Sequence, residues 1–141
     1  MKNSLRMVLV LFVISVNAIN INCTNKKQSN SNAQKEKIVV ITPEEFKEKS
    51  ANQVIIDVRT PKEFSDGHIE GAVNINFLDE NFIQQISNFD KDKTKPVFIY
   101  CKSGNRSGKA AAKISEIGYE KIYDLDGGIL NWVRNNNEVI K

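Results

Sequence analysis

The stretch Val97-Phe-Ile-Tyr-Cys101-Lys-Ser-Gly-Asn-Arg106-Ser-Gly holds the residues best suited to chemistry. An apolar run delivers a cysteine to its C-terminal end, a short loop with Gly104 follows, and a helix is predicted to start at Ser107. In open α/β sheets ligands bind outside the carboxyl ends of the strands. A loop wrapped around a helix N-terminus aims several backbone N–H groups at one point and adds the positive end of the helix dipole. Both effects favour an anion, and the nearest candidate is the Cys101 thiolate, a nucleophile. Lys102 and Arg106 add charge of the same sign. A buried structural thiol is the commoner fate of a lone cysteine, but Lys-Ser-Gly-Asn-Arg-Ser is a poor core sequence and a good polar cradle. Cys101 is therefore the catalytic candidate, and Lys102, Ser103, Gly104, Asn105 and Arg106 are the candidates for binding a substrate.

The elements that must position this loop are legible as short apolar runs. Ile38–Ile41, Val54–Val58, Val97–Tyr100 and Ile122–Leu125 are rich in β-branched residues and do not alternate with polar ones. Strands buried on both faces read this way, which points to a largely parallel sheet with helices on each side. Val73-Asn-Ile75 adds a short fifth candidate. Between the strands, Thr42-Pro43-Glu44-Glu45 forms a capping box with proline at the first helical position. Glu80–Asn88 places Phe82, Ile83 and Ile86 at helical spacing; after Ser107, Ala110, Ile114 and Ile117 share one face and Gly118 is placed to end the helix. Ile129, Trp132 and Val133 mark a last helix. Strand–helix alternation throughout predicts an α/β domain of three layers.

Composition narrows the function. Of 20 basic and 17 acidic residues, Lys2 and Arg6 precede any acid, so from Cys23 onward 18 basic groups face 17 acidic ones. Such a balance leaves no electrostatic footprint for nucleic acid. Two cysteines cannot build a disulfide scaffold, and no Cys/His cluster offers a zinc site. His68 lies between Gly67 and Ile69 with no second ligand or nucleophile nearby in sequence, and reads as a structural histidine.

The N-terminus reads as an address. Lys2 and Arg6 are followed by the apolar run Met7–Val16, the pattern of an export signal over residues 1–22. A spanning helix needs about 20 apolar residues, and Asn17, Asn20 and Asn22 cut this run short. Cleavage after Ala18 is one expectation. The other is lipidation at Cys23, which follows the apolar run and precedes a polar stretch in the manner of a bacterial lipoprotein, although Ile21 and Asn22 replace the small residues usual before such a cysteine. Residues 23–37 are expected to be a flexible tether, because Thr24–Lys37 carries no aromatic or branched aliphatic residue. Its reach is at most about 50 Å. The folded head is then residues 38–141, large enough for a single core.

Four segments together resemble the rhodanese (thiosulfate sulfurtransferase) family. Ile56-Asp57-Val58-Arg59-Thr60-Pro61-Lys62-Glu63-Phe64 is similar to its D-V-R-x-x-x-E-[FY] motif, and Gly67-His68-Ile69-Glu70-Gly71-Ala72-Val73-Asn74-Ile75 to its G-H-I-x-G-A-x-N-I motif. Tyr100–Ser107 resembles the active-site loop, and Leu125-Asp126-Gly127-Gly128-Ile129-Leu130-Asn131-Trp132 the L-x-G-G-x-x-x-W element. In this order they span most of the predicted head. Asp57, Arg59 and Glu63 read as one polar network fixing the strand end and the following turn, Gly127-Gly128 as a tight turn, and Trp132 as core or pocket wall.

The resemblance implies a rhodanese-like three-layer fold and sulfur transfer from thiosulfate, through a Cys101 persulfide, to cyanide or a thiol. It implies no metal or organic cofactor. The related dual-specificity phosphatases carry C-x5-R, whereas Cys101–Arg106 is C-x4-R, a tighter loop that admits a sulfur atom and constricts a phosphate. Alternatives are a persulfide carrier docking to a thiol redox protein and, less in keeping with the loop, a phosphatase or arsenate reductase. The expected setting is the periplasm or cell envelope, with a lipid anchor in a bacterial membrane.

Overall fold

The computed structural model describes residues 37–141. The expected export signal, the lipidation site at Cys23 and all of the tether but Lys37 lie outside the described residues. Five strands, β1 (Ile38–Ile41), β2 (Val54–Asp57), β3 (Ala72–Asn74), β4 (Val97–Tyr100) and β5 (Ile122–Leu125), form one sheet in the order β1-β5-β4-β2-β3. Every pairing is parallel: Ile38 sits opposite Ile122, Val97 opposite both Val54 and Ile122, and Ile55 opposite Ala72. All four residues of the central strand β4 are buried, which is why its sequence reads as an uninterrupted apolar run.

Helices cover both faces. On one, α3 (Phe82–Phe89) and α4 (Asn105–Glu116) bring Phe82, Ile86, Ala110, Ala111 and Ile114 against Ile56, Val58 and Ile99. On the other, α1 (Pro43–Lys49) and α5 (Gly128–Arg134) pack Phe46, Ile129 and Trp132 against Phe98, Tyr100 and Leu125. Alternation along β4 explains the split: Val97, Ile99 and then Cys101 face α3 and α4, while Phe98 and Tyr100 face α1 and α5. The three-layer α/β architecture read from the sequence is present.

Apart from shifts of one or two residues at element ends, two details differ from the sequence reading. A fifth helix, α2 (Pro61–Ser65), follows β2 and begins with the same chemistry as α1: Thr60 caps the Glu63 amide, and the Glu63 carboxylate accepts the Thr60 N–H. Helix α4 begins at Asn105, two residues before the expected Ser107, because Gly104 takes a left-handed φ of 94° and lets the chain turn into the helix at once. Arg106 and Ser107 therefore sit in the first turn of α4. At its far end Gly118, also left-handed at φ 103°, closes the helix by donating to Ser115 O at 3.0 Å.

Candidate active site

Strand β4 hands over directly to Cys101, which is 1% exposed at the carboxyl end of the sheet. Its Sγ accepts the Gly104 N–H at 3.2 Å and lies 3.4 Å from the Ser107 hydroxyl. That hydroxyl, on a fully buried residue, is also 3.2 Å from Gly104 O, and with one hydrogen it serves one acceptor at a time. The first N–H of α4 with a helical partner is that of Gly108, on Gly104 O at 3.0 Å. The amides of Asn105, Arg106 and Ser107 are thus left at the open end of the helix with its positive dipole. Lys102, Ser103 and Asn105 are exposed. The arrangement provides a nucleophile in a cradle of donors, suited to stabilising negative charge on or beside sulfur.

The loop is held from behind by α5. Ile129 donates to Cys101 O at 2.9 Å and Leu130 to Lys102 O at 3.2 Å. Gly128, at φ 60°, lies so close that a Cβ there would stand 2.5 Å from Cys101 O and 2.7 Å from the Lys102 carbonyl carbon. The Gly127-Gly128 pair is more than a turn; its second member lets the start of α5 touch the backbone of the cysteine loop.

Arg106, a substrate-binding candidate in the sequence, has its charge engaged within the protein. Its guanidinium grips Glu63 in a two-pronged ion pair, with both contacts at 2.7 Å. The Arg106 hydrogen bond, against the opposing effect of burial and with help from Thr60, holds the Glu63 carboxyl down at about 2. Glu63 in turn raises the Arg106 guanidinium, and the negative charge of Cys101 acts in the same direction more weakly. The pair ties α2 to the first turn of α4.

Glu63 accordingly leaves the single network expected with Asp57 and Arg59, which form a separate strut. Arg59 chelates Asp57 at 2.6–3.0 Å and donates to Gly67 O at 2.7 Å. Asn74 closes this corner by donating to Asp57 O and Arg59 O, and the Arg59 guanidinium lies 5.6 Å from the Tyr100 ring centre. His68 is structural, stacked on Phe64 at 3.7 Å with Nδ1 3.1 Å from Phe64 O. Trp132 is core, and its indole N–H donates to Glu138 O at 2.8 Å. Among the described residues no group of three His, Cys, Asp or Glu is placed to hold a metal ion.

Two buried polar side chains escaped the sequence reading. In the sequence Ser107 stands as a helix start and the last residue of the cysteine loop, with no contact to the sulfur of its own. Asp124 is 4% exposed and lies within a run counted as apolar; one acid inside Ile122-Tyr-Asp-Leu125 was the signal that could have revealed it.

The rhodanese-like domain family profile matches residues 42–135. Over 92 residues the chain is 40% identical to the uncharacterized protein YqhL of Bacillus subtilis, covering 65% of this chain and 70% of that one. It is 36% identical over 101 residues to the thiosulfate sulfurtransferase GlpE of Shewanella oneidensis, covering 64% and 96%. A tRNA uridine(34) hydroxylase of Buchnera aphidicola is 31% identical over 86 residues, but only 28% of it is covered. Among solved structures, a rhodanese-related protein from Thermoplasma volcanium superposes with a TM-score of 0.63 at 28% identity, covering 72% of this chain and 96% of that one. Sequence pattern and three-layer fold agree: the chain belongs to the rhodanese-like domain family.

Proposed function

We propose that the protein is a thiosulfate sulfurtransferase whose nucleophile is Cys101. The Cys101 thiolate attacks the outer sulfur of thiosulfate, the S–S bond breaks, and sulfite leaves with the electron pair. A Cys101 persulfide remains. Cyanide or a thiolate then attacks its terminal sulfur, and the Cys101 thiolate is released. Two half-reactions through a covalent intermediate give ping-pong kinetics. The observation that carries this reading is the Gly104 amide on Cys101 Sγ at the start of α4. Such donors stabilise the thiolate, the persulfide and the departing sulfite without needing to reorganise. Arg106 contributes through the Glu63 pair, which sets the first turn of α4, and exposed Lys102 attracts the dianion from solvent. The similarity to sulfurtransferases named for thiosulfate supports the choice of donor.

The test is intact mass before and after thiosulfate: the wild type gains one sulfur atom, located on Cys101 by peptide mapping. Cys101→Ser, nearly isosteric but unable to hold a persulfide, loses sulfur transfer with its fold intact by circular dichroism. Retention of more than about one-hundredth of the wild-type rate overturns the assignment. The same proposal puts the domain in the cell envelope, tethered by a lipid on Cys23. Acylation there would also keep this thiol from pairing with Cys101 in an oxidising compartment.

A further inference from the structure

A groove of about 530 Å³ opens at the amino ends of the strands, away from the cysteine loop. Gln53, which precedes β2, and Ile69, Glu70 and Gly71, which precede β3, all line it. Cys101 follows the carboxyl end of β4 and faces α3 and α4, whereas Ile55, in the groove, faces α1 and α5. The groove is therefore no part of the sulfur site, and its volume is that of a small-molecule site.

Its floor is apolar: Ile55, Ile69 and Trp132 are 7%, 4% and 6% exposed. One wall is the segment after α5, and it is pinned at two points. The Trp132 indole N–H donates to Glu138 O at 2.8 Å, and Ile140 exchanges two backbone hydrogen bonds with His68, at 2.8 and 2.9 Å. Asn52 and Asn136, left-handed at φ 61° and 57°, turn the chain out of α1 and α5 at the margins.

The charges at the margin are unevenly answered. Glu70 and Glu138 are exposed, and neither takes part in an ion pair among the described residues. Lys47, the one basic residue lining the groove, donates to Asn137 Oδ1 at 3.4 Å. Ser50, 7% exposed, adds a hydroxyl without a hydrogen-bond partner among the described residues. An anion here would meet two carboxylates, and a plain hydrocarbon would leave them unanswered. An alkyl stem with an ammonium head covers the apolar floor and brings three donors to the waiting acceptors. We propose that this groove binds a small organic cation, a primary ammonium on an apolar stem, with the stem on Ile55, Ile69 and Trp132 and the charge at Glu70 and Glu138. This is a second site, independent of sulfur transfer.

Trp132 is the chain's only tryptophan, so its fluorescence reports on the groove directly. The full-length protein is titrated at neutral pH with hexylamine, hexanol and hexanoate. Hexylammonium is expected to bind saturably and about 3- to 10-fold more tightly than hexanol, with hexanoate weaker than either. Raising the salt to about 0.5 M should shrink the preference for the ammonium. Glu70→Gln combined with Glu138→Gln should abolish it; both positions are exposed, and thermal unfolding checks that the fold is kept. Glu44→Gln combined with Glu116→Gln, exposed acids outside the groove, should retain it. Three results would each overturn the proposal: no saturable response to hexylammonium, equal binding of hexanol by the wild type, or a preference that survives in the Glu70 and Glu138 double variant. A capped lysine tripeptide binding more than roughly tenfold tighter than hexylamine would also overturn it, by making the groove a docking surface for a polypeptide. No step uses thiosulfate, so failure here is distinct from failure of the sulfurtransferase reading.

Discussion

Replacing Gly128 by alanine should damage both stability and catalysis, because the new methyl group is aimed at the cysteine loop. A Cβ at this position would stand 2.5 Å from Cys101 O, whereas ordinary contact begins at 3.4 Å. Either the start of α5 or the Cys101–Lys102 backbone must retreat by nearly the difference. The left-handed backbone adds roughly 1–2 kcal/mol of strain for any residue with a Cβ. Retreat also weakens the hydrogen bonds from Ile129 to Cys101 O and from Leu130 to Lys102 O, each worth about 1 kcal/mol. The sum is about 2–4 kcal/mol, and in a domain of this size it lowers the melting temperature by roughly 10–25 °C. A misplacement approaching 1 Å at a reacting group costs on the order of 100-fold in rate. Gly127→Ala is the control, since its Cβ would meet the Asn131 side chain at 2.7 Å and not the loop. It should lose stability while the folded fraction keeps its rate within a few fold. Thermal unfolding by circular dichroism and steady-state sulfur transfer from thiosulfate measure both. A Gly128→Ala protein that melts and turns over like wild type refutes the reasoning.

Arg106→Ala should reduce kcat/KM for thiosulfate about 10- to 100-fold, as expected for losing one charge-assisted contact. Glu63→Gln should reproduce much of that loss, and a double-mutant cycle should show strong coupling; independent effects would separate Arg106 from its partner. Glu63 also sets an acid limb. Its folded value of about 2 lies below its ordinary 4.5, so its stabilisation is complete above about pH 4.5 and fades as pH falls toward 2. Urea titrations should find the wild-type advantage over Glu63→Gln shrinking across that window, and an advantage independent of pH would contradict the pairing. Lys102→Ala should change KM less than Arg106→Ala does, and an equal or larger change in steady-state kinetics would make exposed Lys102 the principal anchor. Cys23→Ser should move the protein from membranes to the soluble fraction on fractionation; a wild-type protein already soluble and beginning at Ile19 argues against the anchor.

The strands were readable because a parallel sheet buried on both faces leaves its mark in every residue, as Val97–Tyr100 shows. The place of Cys101 at the carboxyl end of β4 was readable because strand, cysteine, glycine loop and helix are contiguous. What escaped depends on distance in the chain. Glu63 and Arg106 are 43 residues apart, and they meet because β2 pairs with β4, an order that no periodicity encodes. Helix α2 was missed although Thr60-Pro61-Lys62-Glu63 repeats the capping pattern of Thr42–Glu45; five residues with none buried give no apolar face to recognise. The early start of α4 turned on one dihedral, that of Gly104. Asp124 was visible as a letter and passed over, because its neighbours Ile122 and Leu125 are both fully buried and their apolar character dominated the reading.

The pairing of the first described strand with the last has a consequence for how the chain acquires its shape during synthesis. Ile38 finds its neighbour only in Ile122, and the Cys101 loop finds its backing only in Gly128–Leu130. A growing polypeptide that has emerged as far as Cys101 therefore owns a nucleophile but no finished sheet and no clamp. Loop closure over such a span is slow, and the early strands stay unsatisfied until the end of the chain arrives. Completion of the sheet is thus held back to the final stretch, and a fragment of the described residues ending before β5 lacks both the strand that joins β1 to β4 and the clamp on the Cys101–Lys102 backbone.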